Sequence, residues 1–193
     1  YAPIDDGFSY SGVPRYYRHA LESTKHAAQH FEDESVDIAV NLGDIVDGKC
    51  VTAKVTKHGT NAIDDVVEAL SYYQGDILHV YGNHCLYNAD RPTLEKKLKI
   101  PMRLEENDEL VGYYSRRVHN IRLIVIDTYD IAILQRDSKT SQKRKQAEKL
   151  LKQHNTENFE NGNHNSPDGL HGLQRRFVGF GGAVGERQLA WIR

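Results

Sequence analysis

Cysteine is nearly absent, with only Cys50 and Cys85 among 193 residues. The two lie far apart, without the paired spacing of a zinc site or a disulfide framework, and suit a reducing, cytoplasmic setting. An excess of one charge is also lacking. Lys and Arg number 25 against 27 Asp and Glu, a net charge of −2, so no global field draws the chain to nucleic acid or a membrane surface. No apolar run reaches the roughly 20 residues of a membrane span, and no signal peptide is visible. Repeats and clear linkers are missing too. Residues 1–193 therefore read as one domain, long enough to bury a core. The chain opens at Tyr1 in a loop-like stretch and stops at Arg193 where a helical pattern has only begun, so further residues are expected on both sides.

What is present is an alternation of helical and strand patterns. Tyr17, Ala20, Leu21, Thr24, Ala28 and Phe31 recur at helical spacing, predicting an amphipathic helix over 15–32 opened by Pro14-Arg15. The β-branched run VDIAVNL (36–42) predicts a buried strand ending at Gly43. Ile63, Val66, Val67 and Leu70 predict a second helix, and DILHVY (76–81) a second strand. The unit is β-α-β, which implies parallel neighbours. A charged short helix and loop follow, then a strand pair turning at His119-Asn120. Residues 135–173 are polar and turn-rich, with a helix in SQKRKQAEKLLKQHN that carries Ala147, Leu150, Leu151 and His154 on one face.

Chemistry concentrates where the two first strands end. NLGDIVDG (41–48) delivers Asp44 after one strand, and YGNHCLYN (81–88) delivers Asn83 and His84 after the other. A glycine precedes each and allows a sharp backbone turn. Asp44 and Asn83 are 39 positions apart, about one β-α-β unit, so a right-handed crossover sets them side by side at the carboxyl edge where ligands gather. A carboxylate can bridge two divalent cations, and an amide oxygen can complete one of them. A neighbouring imidazole can meet a phosphate oxygen. Oxygen-rich ligation with some imidazole suits manganese or iron, with magnesium a further candidate, better than a thiolate zinc site.

GD-x-x-D followed by GNH resembles the calcineurin-like metallophosphoesterases, and within them the manganese-dependent ADP-ribose/CDP-alcohol diphosphatase family. The likeness runs along the chain through DDGFSYSG, RYYRHAL, LGDIVDG, YGNHCLYN, IRLIVIDTYD, NSPDGL and RRFVGFGGAVGERQLAWI. It implies an α/β metallophosphoesterase β-sandwich flanked by helices. It also implies a site of two divalent cations, bridged by Asp44 and ligated by Asn83, with His84 contacting the scissile phosphate and assisting the leaving oxygen. Asp47 would hold the motif's geometry, and Tyr10 and Arg15 would contact the nucleotide. The reaction implied is hydrolysis of the phosphoanhydride in small nucleoside diphosphate conjugates, releasing a nucleoside monophosphate. No nucleic-acid or membrane partner is implied, and the oligomeric state stays open.

The chain departs from that pattern at three places. The family's first motif, Asp-x-Gln or Asp-x-His, and its two later histidine motifs are absent from 1–193, so this stretch alone is expected to be inactive. Where the family usually carries an acid after GNH, this chain has Cys85. A thiol beside two cations would tend toward thiolate, so sensitivity to peroxide is expected there. Two rival functions are another phosphoesterase activity, on cyclic nucleotides or DNA, and a non-catalytic binding module. Asp127 and Asp130 read as turn or helix-cap acids, His154, His164 and His171 as surface histidines, and KRKQAEKLLK as a solvated helix face.

Overall fold

The computed structural model describes residues 1–3, 8–10, 12–52, 58–105 and 108–193. They group into two compact units: residues 1–100 with 116–123, and residues 101–115 with 124–193.

The first unit opens with an antiparallel ribbon, β1 (Phe8–Tyr10) and β2 (Val13–Arg15), turning through Gly12 at φ +79°. Helix α1 (His19–Asp33) follows. It starts four residues later than the predicted 15, because Pro14 and Arg15 are used in the ribbon, Pro14 opposite Ser9. Strand β3 (Ile38–Asn41), the short helix α2 (Lys49–Thr52), helix α3 (His58–Leu70) and strand β4 (Asp76–His79) complete the β-α-β unit. The strands pair in parallel from Ile38↔Asp76 to Asn41↔His79, as a helical crossover requires.

Ala28 of α1 meets Ala39 of β3 and Tyr73, with Phe31, Val36 and Ile77 packed around them. The Tyr73 hydroxyl donates to the Val36 carbonyl at 2.7 Å, so the ring is buried without stranding its polar end. Helix α3 buries Ala62, Ile63, Val66 and Ala69; burying a side chain such as Ile63 stabilises the unit by about 1.5–3 kcal/mol. Strand β3 is not buried on both faces as expected. Ala39 faces the helices, while Val40 is 50% exposed and Leu42 beyond it 83% exposed. Alternation along the strand puts them on the face that no described element of this unit covers.

Helices α4 (Asn83–Asn88) and α5 (Arg91–Leu98) follow β4. Asp90 caps α5 by accepting from the Thr93 amide at 2.9 Å, with Pro92 in the first turn. His79, at the end of β4, is 6% exposed, and burial pushes its pKa down from 6.5 to about 4. The folded state therefore binds this proton less readily than the unfolded chain. Stability on this account is constant above pH 6.5 and falls as pH drops from 6.5 to about 4, by about 3 kcal/mol in total. Urea midpoints at neutral pH and about pH 5 should converge in His79→Gln relative to the native protein. An unchanged difference between the midpoints would assign the acid sensitivity elsewhere.

The second unit contains the antiparallel pair β5 (Arg103–Leu104) and β6 (Leu110–Val111). The predicted strand pair is present as β7 (Tyr114–Val118) and β8 (Ile121–Val125), turning at His119 with φ +50°. Its tip, 116–123, counts with the first unit, where Arg116 pairs with Asp76 and His119 with Asp37. Strand β9 (Ile131–Ala132) pairs with β10 (Gly182–Ala183), and between them lie α6 (Gln142–His154), α7 (Thr156–Glu160) and a 3-10 turn, Gly172–Arg176. Helix α8 (Glu186–Ile192) comes last. Among the described residues, no helix is long and apolar enough to cross a membrane.

The polar insertion is organised from within. Fully buried Asn155 donates to the Ser166 and Phe177 carbonyls at 3.1 and 2.8 Å and accepts from Asn158. Of its histidines, His171 is exposed, while His154 and His164 are half-buried: His154 stacks on Phe177 with centroids 4.1 Å apart, and His164 lies against Gly179.

Candidate metal centre

Both loops that close the β-α-β unit are shaped by their sequence. At the end of β3, the Asn41 side chain accepts from the Gly43 amide at 2.8 Å and starts the turn. Gly43 continues at φ +88° and Asp44 at φ +50°, a left-handed conformation that costs a non-glycine residue about 1–3 kcal/mol. The chain then buries Ile45 and Val46, leaving Asp44 exposed and Asp47 half-buried on either side. Tyr1 braces this loop: its backbone nitrogen donates to the Ile45 carbonyl, and its carbonyl accepts from the Asp47 amide at 2.7 Å. The Tyr1 hydroxyl reaches Asp65 on α3 at 2.9 Å.

At the end of β4, Gly82 precedes α4. A Cβ at Gly82 would stand 1.9 Å from the Asp44 Oδ1, and one at Gly43 would stand 2.8 Å from the Gly82 nitrogen. The two glycines thus let the loops touch backbone to backbone. The Asp44 Oδ1 accepts from the His84 amide at 2.9 Å. The structure therefore brings Asp44 against the first turn of α4, which carries Asn83 and His84.

The His84 imidazole is held by the Asp44 loop. Its Nδ1 accepts from the Gly48 amide at 2.8 Å, with an Asp47 carboxylate oxygen 3.8 Å away. An N–H pointing at Nδ1 requires a lone pair there, so the ring proton of the neutral form sits on Nε2. Asp47 uses its other oxygen to accept from the Lys49 amide at 2.8 Å and turn the chain into α2.

Cys85 occupies a different environment from the one expected of it. The thiol is fully buried, and burial pushes its pKa up, against the pull of backbone N–H groups at Gly82, Ile45 and Asp44. Peroxide attacks exposed thiolates, and this thiol is buried because α4 turns Cys85 and Leu86 together toward the interior, so the structure does not support the expected peroxide sensitivity.

Of the two residues assigned to substrate, Arg15 stands exposed on β2, in register with Phe8. The Tyr10 side chain lies outside the described residues.

Asp127 and Asp130 belong to the second unit and are fully buried in a hydrogen-bonded network. Asp127 accepts from the Tyr129 and Gly112 amides, at 2.9 and 3.1 Å. Asp130 accepts from the Gly185 amide, from Gln188 and from Lys143. Lys143 also meets Glu105 at 2.8 Å, so the first turn of the predicted solvated helix points a cation inward. A cavity of about 340 Å³ in this unit is lined by Ile131, Leu150, Leu151, Phe177 and Val178, and none of the predicted site residues borders it.

The donors at the strand ends are oxygens, a carboxylate from Asp44 and a carboxamide from Asn83, which suit manganese or magnesium. The absent Gly82 Cβ leaves the space that the carboxylate occupies. Among the described residues, no group of three or more His, Cys, Asp or Glu side chains is placed to hold a cation. The pair therefore fits as part of a larger donor set.

The calcineurin-like phosphoesterase family matches residues 15–182, a span that takes in both loops. The chain belongs to this family. Its fold is matched by the crystal structure of a dimetal phosphatase from Danio rerio, with a TM-score of 0.83 and 32% identity, over 100% of this chain and 60% of that one. Among curated proteins, the chain is 37% identical over 196 residues to the manganese-dependent ADP-ribose/CDP-alcohol diphosphatase of Oryza sativa subsp. japonica. That alignment covers 100% of this chain and 56% of the rice protein. The Arabidopsis thaliana protein of the same name is 36% identical, with 100% and 58% covered. The chain thus spans less than two thirds of these relatives' length.

Proposed function

We propose that this chain supplies Asp44, Asn83 and His84 to the active site of a manganese-dependent hydrolase of ADP-ribose and CDP-alcohols. The observation that carries the reading is the contact of the two strand-end loops, which brings the Asp44 carboxylate against the turn that carries Asn83 and His84, on a family member whose relatives bear that name. Two divalent cations, manganese with iron or magnesium as alternatives, would be held with Asp44 and Asn83 among their ligands. Bound there, they would lower the pKa of a water and neutralise charge on the phosphoryl group.

The protein's own residues do the rest. Asp44 holds its carboxylate in place through the His84 amide, at a fixed backbone angle. His84 keeps its proton on Nε2, because Nδ1 is occupied by the Gly48 amide, and so acts as a donor to a phosphate oxygen or to the leaving oxygen. Water's oxygen adds to phosphorus as the anhydride P–O bond breaks, and the departing oxygen takes the proton. Arg15 and Tyr10 offer a guanidinium and an aromatic face of the kind that suits a diphosphate and a base. The buried, unbridged Cys50 and Cys85 suit a reducing compartment such as the cytoplasm.

The test is product release by the native full-length protein with Mn²⁺. AMP from ADP-ribose and CMP from a CDP-alcohol are expected at rates far above cleavage of cyclic nucleotides or DNA. Preferential cleavage of either of the latter would move the protein to another activity in the family. Absence of both metal and turnover would make it a binding module.

A further inference from the structure

The peptide joining Asp47 to Gly48 is held at both ends. Its N–H donates to the His84 Nδ1 at 2.8 Å, while its carbonyl accepts from the Asn88 Nδ2 at 3.2 Å. The peptide unit is planar, so fixing the carbonyl direction fixes the N–H direction. The same Asn88 nitrogen donates to the His84 carbonyl at 2.8 Å, one turn back along α4. A single carboxamide therefore ties the helix bearing His84 to the peptide that sets its proton.

Two further features point the same way. Among the described residues, the buried Asn88 Oδ1 has no hydrogen-bond partner, a costly arrangement that asks for a reason. The two donations by Nδ2 supply one. The Tyr87 ring lies 5.4 Å from the imidazole at 35°, and a Cβ at Gly48 would meet Tyr87 at 3.3 Å and the His84 Nδ1 at 3.6 Å.

We propose that Asn88 is a positioning residue for His84, acting through the Asp47–Gly48 peptide to keep the imidazole proton on Nε2. It acts on the geometry of the donor and not on substrate or metal. The inference rests on the reading of His84 as proton donor. It differs from a direct Asp47–His84 pairing, because the amide and not the carboxylate is the nearer partner of Nδ1.

The experiment uses the native full-length protein with ¹⁵N-labelled histidine and no added metal. Long-range ¹H–¹⁵N correlation should show His84 as the Nε2–H tautomer, and Asn88→Ala should give a mixture. With Mn²⁺ and ADP-ribose, Asn88→Ala should lower kcat about tenfold with KM within about twofold. In a His84→Ala background, the same change should alter kcat less than about twofold, since residues that act as a unit are not additive. Asn88→Asp, of the same shape without the donors, is read in the same way should the alanine variant not fold. A pure Nε2–H tautomer in the variants overturns the proposal. So does an equal loss of kcat in the His84→Ala background. If the protein hydrolyses no such conjugate, the reading of the substrate fails, and the tautomer measurement still decides the role of Asn88.

Discussion

Asp44→Ala in the native full-length protein is expected to abolish hydrolysis of ADP-ribose, by roughly 10³-fold or more, together with most of the bound Mn²⁺. The substitution removes the carboxylate assigned to the metal site, and its immediate neighbours Ile45 and Val46 are apolar and buried, so neither can replace it. His84→Ala should behave differently. It deletes a proton donor that acts in the transition state, so kcat should fall by roughly 10²–10⁴ while metal content stays close to native. Elemental analysis beside steady-state kinetics separates the two. Equal loss of metal in both variants would show that His84 is a ligand and that the division of roles is wrong.

The second large effect is expected at a residue that carries no functional group. In Gly82→Ala, the new Cβ would lie 1.9 Å from the Asp44 Oδ1 and 2.4 Å from the Asp44 nitrogen, separations that only displacement of the loop can relieve. Overpacking of this kind costs about 1–3 kcal/mol. The displaced atoms here are the backbone and carboxylate of the Asp44 loop, so metal affinity and activity should fall with stability. Gly162→Ala is the control. It has nothing within 4 Å and a φ of +71°, so it should lower the melting temperature slightly through backbone strain and leave activity unchanged. Native metal content and rate in Gly82→Ala would mean that the loops have slack the geometry does not reveal.

The placement of Asp44 beside Asn83 and His84 was legible in the sequence because each follows a short apolar run and a glycine, one β-α-β unit apart. The start of α1 was not. Pro14 is as good an opening for a helix as for a turn, and only the pairing with Ser9 decides between them. Nor could periodicity show that Val40 and Leu42 are exposed, since a β-branched run reads the same whether one face is covered or two. Gln188, fully buried between Asp127 and Asp130, was missed because its partners lie 61 and 58 residues away. Asn88 was within reach. It stands at i+4 from His84, on the same face of a helix, and that spacing could have raised the question. The Gly48 amide could not be read, because every residue but proline offers one.

The glycine-to-glycine contact also bears on the order in which the chain assembles. Gly43 and Gly82 are 39 residues apart in sequence, and the cradle for the Asp44 carboxylate exists only where their backbones meet. Before β3 and β4 have paired, Asp44 is an isolated acid on an open loop, with weak affinity for a divalent ion. Metal capture at Asp44 is thus expected to follow strand pairing and not to nucleate it. The ion should slow unfolding far more than it speeds refolding.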